Sequence, residues 1–130
     1  MAVYKAVAQA SWQEIGGKRN YYRSKAEANF ARFLQWQKEN FQILDWEHEP
    51  ETFWFGKLRR GVTNYKPDFR ILHNNGSLEY VEVKGFMDSK SATKIKRMAK
   101  YHPQVKLLVV DAKAYRQLSA IFSRVVPGWE

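Results

Sequence analysis

Asp68, Glu82 and Lys84 are the residues of this chain whose types and spacing point most directly to chemistry. They lie in YKPDFRILHNNGSLEYVEVKG, from Tyr65 to Gly85, where two runs of strand-forming residues flank His73-Asn74-Asn75-Gly76. Asn and Gly tolerate positive φ, so this tetrapeptide suits a tight reversal between antiparallel strands. Along the second run side chains alternate. Val81 and Val83 therefore share one face, while Glu82 and Lys84 share the other. Asp68 follows Pro67 on the first run, and the hairpin brings it back beside Glu82. Two carboxylates and an ammonium then occupy one small patch.

Such a patch is costly without a partner, because each carboxylate disfavours ionisation of the other. A divalent cation resolves the conflict. Hard oxygen ligands suit Mg²⁺, which takes one or two carboxylates and fills its remaining positions with water and phosphate oxygens. The cation can activate water and stabilise charge on a phosphoryl group, with Lys84 holding the attacking water or the scissile phosphate. An exposed hairpin with a surface Glu-Lys pair would explain any single pair of these residues. The full string is more specific: Pro-Asp, a turn, then Glu-x-Lys ending a strand before Gly85.

The elements that must position these residues are readable on either side. The chain has 130 residues, enough for one domain with a real core. It has no Cys, which excludes disulfides, thiolate metal sites and Cys nucleophiles. No segment approaches membrane-spanning length and no signal peptide is recognisable, so an intracellular location is expected. A net charge of +9 favours a polyanionic partner, most simply nucleic acid.

Val3 to Trp12 reads as a strand or an arm, and Ile15 to Tyr22 as a turn leading into a short strand. Lys18, Arg19 and Arg23 suit DNA backbone contact, and equally a solvated basic turn. Ser24-Lys25-Ala26-Glu27 is a capping box opening a helix to about Asn40, with an apolar stripe through Ala26, Phe30, Phe33, Leu34, Gln37 and Phe41. Taken alone, Glu27 reads as a cap.

Strands follow at Ile43–Glu47 and Thr52–Phe55. Gly56–Gly61 is a basic turn whose Arg59 and Arg60 suit DNA. After the central hairpin, a helix from Ser89 to about Tyr101 places Lys90, Lys94 and Arg97 roughly on one face, a phosphate-binding surface beside the metal patch. Val105–Asp111 is a buried strand and Ala112 to about Phe122 a further helix. The aromatic residues lie mostly at core spacing and are expected in the core rather than as base-stacking platforms. His48 reads as a surface residue at a strand end.

Assembled, these residues resemble the PD-(D/E)XK nuclease superfamily, and within it the phage endonuclease I group of Holliday-junction resolvases. The similarity runs from about Tyr22 to Asp111. It is carried by Tyr22-Arg23-Ser24-x-x-Glu27, Trp46-Glu47-His48-Glu49, Tyr65-x-Pro67-Asp68-Phe69 and Val81-Glu82-Val83-Lys84-Gly85. His102-Pro103 before a hydrophobic strand also matches. A family of uncharacterised phage proteins with the same nuclease core is a close rival match.

The resemblance implies an α/β fold with a restriction-endonuclease-like core. A central mixed β-sheet would be flanked by α-helices in a single domain over residues 1–130, with residues 1–20 an arm or hairpin. It implies Asp68 and Glu82 as metal ligands, Lys84 as the catalytic lysine, and Glu27 as a helix carboxylate reaching the metal site, across the dimer in that group. Glu47 matches a further acidic position. The implied cofactor is Mg²⁺, with Mn²⁺ substituting. The implied activity is cleavage of four-way junctions or other branched DNA by paired nicks from a homodimer, in host cytoplasm if phage-encoded. A nicking or restriction-like nuclease without junction specificity would use the same site. A non-catalytic DNA-binding module is disfavoured by the intact Asp68, Glu82 and Lys84.

Overall fold

The computed structural model describes residues 10–130, so the expected arm falls outside the described residues except for its last three positions, 10–12. The described chain opens with a hairpin, β1 (Ser11–Ile15) and β2 (Lys18–Tyr22), one of the two forms expected for this stretch, with β2 as the short strand after the turn. Gly16 and Gly17 form its two-residue turn at φ +62° and +77°, a conformation glycine adopts without strain. Gly16 is also crowded: a Cβ there would fall 2.1 Å from the Gln35 side-chain oxygen.

Helix α1 (Lys25–Glu39) packs on a four-stranded sheet through Ala28, Phe30, Ala31 and Leu34, where two alanines let the helix sit close. It ends at Glu39, two residues before the expected apolar stripe does. Phe41 lies beyond the helix at φ +59°, 86% exposed. The Phe41 and Gln42 N–H groups donate to the Lys38 and Gln37 carbonyls, the pair of hydrogen bonds of a Schellman ending with Phe41 where glycine is usual.

The sheet has the order β3-β6-β7-β8. β3 (Asp45–His48), β6 (Phe69–Leu72) and β7 (Leu78–Val83) are antiparallel neighbours, and β8 (Leu107–Val110) lies parallel to β7 at the edge. The mixed α/β architecture expected from the sequence is therefore present. The β6–β7 reversal falls at His73–Gly76 as expected, with only Gly76 taking positive φ; Asn75 instead accepts from the Ser77 amide and hydroxyl.

Rows set by the register give the sheet two faces. Trp46, Ile71, Phe69 and Val81 meet α1 in the larger apolar cluster. On the other face, Tyr80 meets Phe53, Phe55 and Tyr65 from the small hairpin of β4 (Phe53–Trp54) and β5 (Asn64–Tyr65), together with Met98 of α2 (Ser89–Tyr101). Asp88 caps α2 and Asp111 caps α3 (Ala112–Phe122), each accepting a backbone N–H from three residues ahead.

The tail returns to α1. Buried Asn29 donates to the Tyr115 hydroxyl and the Glu130 carbonyl and accepts the Glu130 N–H at 2.9 Å, while Trp129 stacks on Tyr115. No helix among the described residues is long and apolar enough to cross a membrane.

Candidate active site

Three strands and one helix start converge on Asp68. Tyr65 ends β5, Pro67 is fully buried, and Asp68 stands one residue before β6. The Asp68 carbonyl accepts the Glu49 N–H at 2.8 Å, which ties it to the end of β3. Its carboxylate accepts the Val83 N–H at 2.8 Å, which pins it against the central strand β7. Glu82 is fixed from the opposite side, where the Tyr65 hydroxyl donates to Oε1 at 2.6 Å. Lys84 follows β7, and its N–H continues the parallel ladder to the Val110 carbonyl at 2.9 Å. The hairpin thus brings Asp68, Glu82 and Lys84 together.

The electrostatics show a deficit of positive charge. Asp68 is 4% exposed. Burial, and then the neighbouring Glu82 and Glu27 carboxylates, push its pKa well up, against the Val83 N–H and Arg23. Burial also raises Glu82, and outweighs the Tyr65 hydroxyl, Lys84, the Asp68 amide and Lys94. Burial and the two carboxylates together raise the Tyr65 phenol, so it remains a proton donor to Glu82.

A second group of side chains adjoins Asp68. Glu27, His48 and Glu49 each bring one ligand atom within 4.8 Å of the others. Ser24 caps α1 by accepting the Glu27 N–H at 3.1 Å, but the expected reciprocal half of the capping box is not made. The Glu27 carboxylate instead meets His48 Nε2 at 2.7 Å.

His48 is not the surface residue its sequence position suggested. Its side chain is 3% exposed, between the rings of Tyr22 at 4.6 Å and Phe69 at 5.3 Å. Glu49 follows at φ +46°, which breaks the alternation of β3 and lets its carboxylate join His48. Arg23 closes the group with a 2.8 Å ion pair to Glu49.

The structure does not bring Glu47 to this cluster. It is exposed beside Arg70 at 3.5 Å, in the sheet row away from His48. Lys18 is also drawn elsewhere. Its ammonium contacts Asp45 at 3.0 Å and the Trp46 carbonyl, and sits 4.6 Å from the Trp46 ring centre, so it braces the hairpin against β3.

Arg19, Arg59, Arg60 and Lys90 are exposed. Lys94 lies over the Tyr65 ring at 5.8 Å and lowers the Glu82 pKa, so it belongs with the site. Arg97 donates to the Val62 carbonyl and fastens the basic loop to α2 instead of projecting freely. Several aromatic residues depart from the expected core placement: Trp12, Tyr21, Trp54 and Phe86 are exposed.

His48, Glu49 and Tyr65 are the site residues that sequence reasoning passed over as chemistry. The acidic pair around His48 and the Tyr65-x-Pro67-Asp68 string were the available signals. The oxygen donors of buried Asp68 and partly buried Glu82, with their raised pKa values, suit a hard divalent cation such as Mg²⁺ or Mn²⁺. The imidazole beside them suits softer divalent ions.

Among curated proteins, none matches the chain. A family described as "Protein of unknown function (DUF1064)" matches residues 9–117, and the chain belongs to that family.

Proposed function

We propose that this protein is a divalent-metal-dependent DNA endonuclease of the PD-(D/E)XK type, acting on branched DNA with four-way junctions preferred. The observation that carries the reading is the pairing of buried Asp68 with partly buried Glu82, each with a raised pKa, next to Lys84. Keeping two ionised carboxylates together in a partly desolvated site is unfavourable until a proton or a cation neutralises the excess charge, and a divalent cation does so while leaving both as ligands.

In this reading Asp68 and Glu82 hold the metal, Asp68 fixed by the Val83 N–H and Glu82 by the Tyr65 hydroxyl. Bound Mg²⁺ would supply Lewis-acid stabilisation of the phosphoryl group and make water a better nucleophile. Lys84 stabilises the negative charge that develops on the phosphoryl oxygens as the phosphorus–oxygen bond breaks. Glu27, held by His48, adds negative charge at the same edge. Arg23 and the exposed Arg59, Arg60 and Lys90 offer cations to the strand. A four-way junction has near two-fold symmetry, so a homodimer would present one site to each of two paired nicks.

The test is cleavage of a labelled four-way junction and of a matched linear duplex, with Mg²⁺, with Mn²⁺ and with chelator. Metal-dependent nicking of the junction is expected. Equal cutting of both substrates would give the nuclease no junction specificity. Intact DNA under every condition would overturn the enzymatic reading.

A further inference from the structure

The β1–β2 hairpin has two unlike faces. Its inner face sends Ile15 and Tyr22 into the core, and Tyr22 packs on His48. Its outer face presents Trp12 and Tyr21, which are direct cross-strand partners. Trp12 is 59% exposed and Tyr21 44%. Their rings meet edge to face at 5.6 Å, and the Arg19 guanidinium lies 5.3 Å from the Trp12 ring centre.

A cross-strand pair of polar β-branched residues would support a hairpin on a solvated face equally well. Two large rings set at 61° to each other and a cation beside them form an exposed aromatic surface with positive charge at its rim. It adjoins the site along the chain. Tyr22 and Arg23 follow Tyr21, and Arg23 pairs with Glu49.

We propose that Trp12 and Tyr21 form a stacking platform for an unpaired base of the DNA strand that enters the site. The inference rests on the nucleic-acid part of the functional reading above. Every base has a π-face that an aromatic side chain can cover, and an arginine beside the ring adds to the contact. Charge favours a negatively charged partner, because the chain carries +9 and the Arg19 guanidinium lies beside the Trp12 ring. The acidic Glu14 lies opposite Arg19, toward the hairpin tip, and disfavours a phosphate on that side of the platform. A base inside a duplex offers no free face. The platform therefore selects DNA with unpaired positions, as at a branch point or a frayed end.

The experiment is binding in chelator, where no cleavage occurs, followed by anisotropy. It uses a fully paired duplex and the same duplex carrying an unpaired tract. Wild-type protein is expected to favour the second. Trp12→Ala and Tyr21→Ala should each lose about tenfold to a hundredfold on the DNA with the unpaired tract and little on the paired duplex. Trp12→Phe should keep most of the affinity, and Trp12→Leu, apolar but without a π-face, should lose it. Circular dichroism and thermal melting confirm that the hairpin variants remain folded.

Equal losses on both DNAs, or Leu binding as well as Phe, would overturn the platform. So would an altered oligomeric state with DNA binding unchanged, which would make the face a contact with a second copy of the chain. Because the readout is binding, a protein that cleaves nothing can still pass this test, and an active nuclease can fail it.

Discussion

Asp45 and Asp68 stand at opposite ends of the β3–β6 pair, and the same side chain meets opposite treatment there. At Asp45, partial burial works to raise the pKa and is outweighed. Lys18 and Lys38 each approach to 3.0 Å, the Trp46 N–H donates at 2.8 Å, and the group is held at about 2. Asp68 has one backbone N–H and two neighbouring carboxylates, and burial carries its pKa the other way. One end of the sheet balances its charge within the chain. The other leaves negative charge over, on rigid strands, where an external cation or a phosphate-bound metal can answer it. Electrostatic satisfaction marks the structural end, and its absence marks the end proposed to do chemistry.

The largest test of this contrast is a pair of isosteric changes. Asp68→Asn should abolish metal-dependent cleavage, while Asp45→Asn should leave it near wild type, measured as initial rates on the junction. Equal loss in both would erase the distinction. Next come the residues around the deficit. Lys84→Met should lose most of the rate with little change in DNA affinity, because the ammonium acts on charge that develops late. Glu27→Gln should do the same while the helix start remains, since the Ser24 cap is independent of the Glu27 carboxylate. A Glu27→Gln enzyme with full activity would confine the site to Asp68, Glu82 and Lys84.

Stability should separate the two aspartates more gently, and in opposite directions with pH. The folded pKa of Asp45 is depressed, so its contribution is present above the unfolded value of 3.8 and fades as pH falls toward about 2. Its partly exposed ion pairs make that contribution about 1 kcal/mol or less. The folded pKa of Asp68 is raised, so its contribution is full below its unfolded pKa and is lost as pH rises through the folded one. In chelator at pH 7, Asp68→Asn should therefore melt a few degrees above wild type and Asp45→Asn slightly below it. Adding Mg²⁺ should raise the wild-type midpoint more than that of Asp68→Asn. A lower midpoint for Asp68→Asn would mean that its carboxylate is already satisfied. The smallest effect concerns the basic loop: Arg59→Gln with Arg60→Gln should flatten the salt dependence of DNA binding by about two units at most.

Much of this was legible before any coordinates. Strand alternation and the Asn-Asn-Gly turn placed Glu82 and Lys84 together and brought Asp68 beside them, because period-two geometry is local and the turn residues are distinctive. Alternation misled where the backbone leaves it. Glu47 and Glu49 look equivalent in sequence, and a single positive φ at Glu49 decides which of them meets His48. Lys18 was invisible as a brace because Asp45 and Trp46 are distant in sequence. Glu27 fitted a capping box by spacing, but spacing does not say where the carboxylate turns. Phe41 continued an apolar stripe on paper, yet the helix stopped at Glu39, and the ring was left in water.

Asn29 gives the proposed site a mechanical dependence on the far end of the chain. Glu27 sits two residues before it on the same helix turn, and Asn29 is held by the backbone of Glu130, 101 positions away. Releasing the tail would cost the Asn29 amide two of its four hydrogen bonds, leaving Tyr115 and Arg32, and would strip Trp129 from Tyr115. Slow amide exchange in the first turns of α1 would then report on the tail as much as on the helix itself. Shortening the chain by its last four residues should speed that exchange and loosen Glu27 without touching a single residue of the acidic cluster.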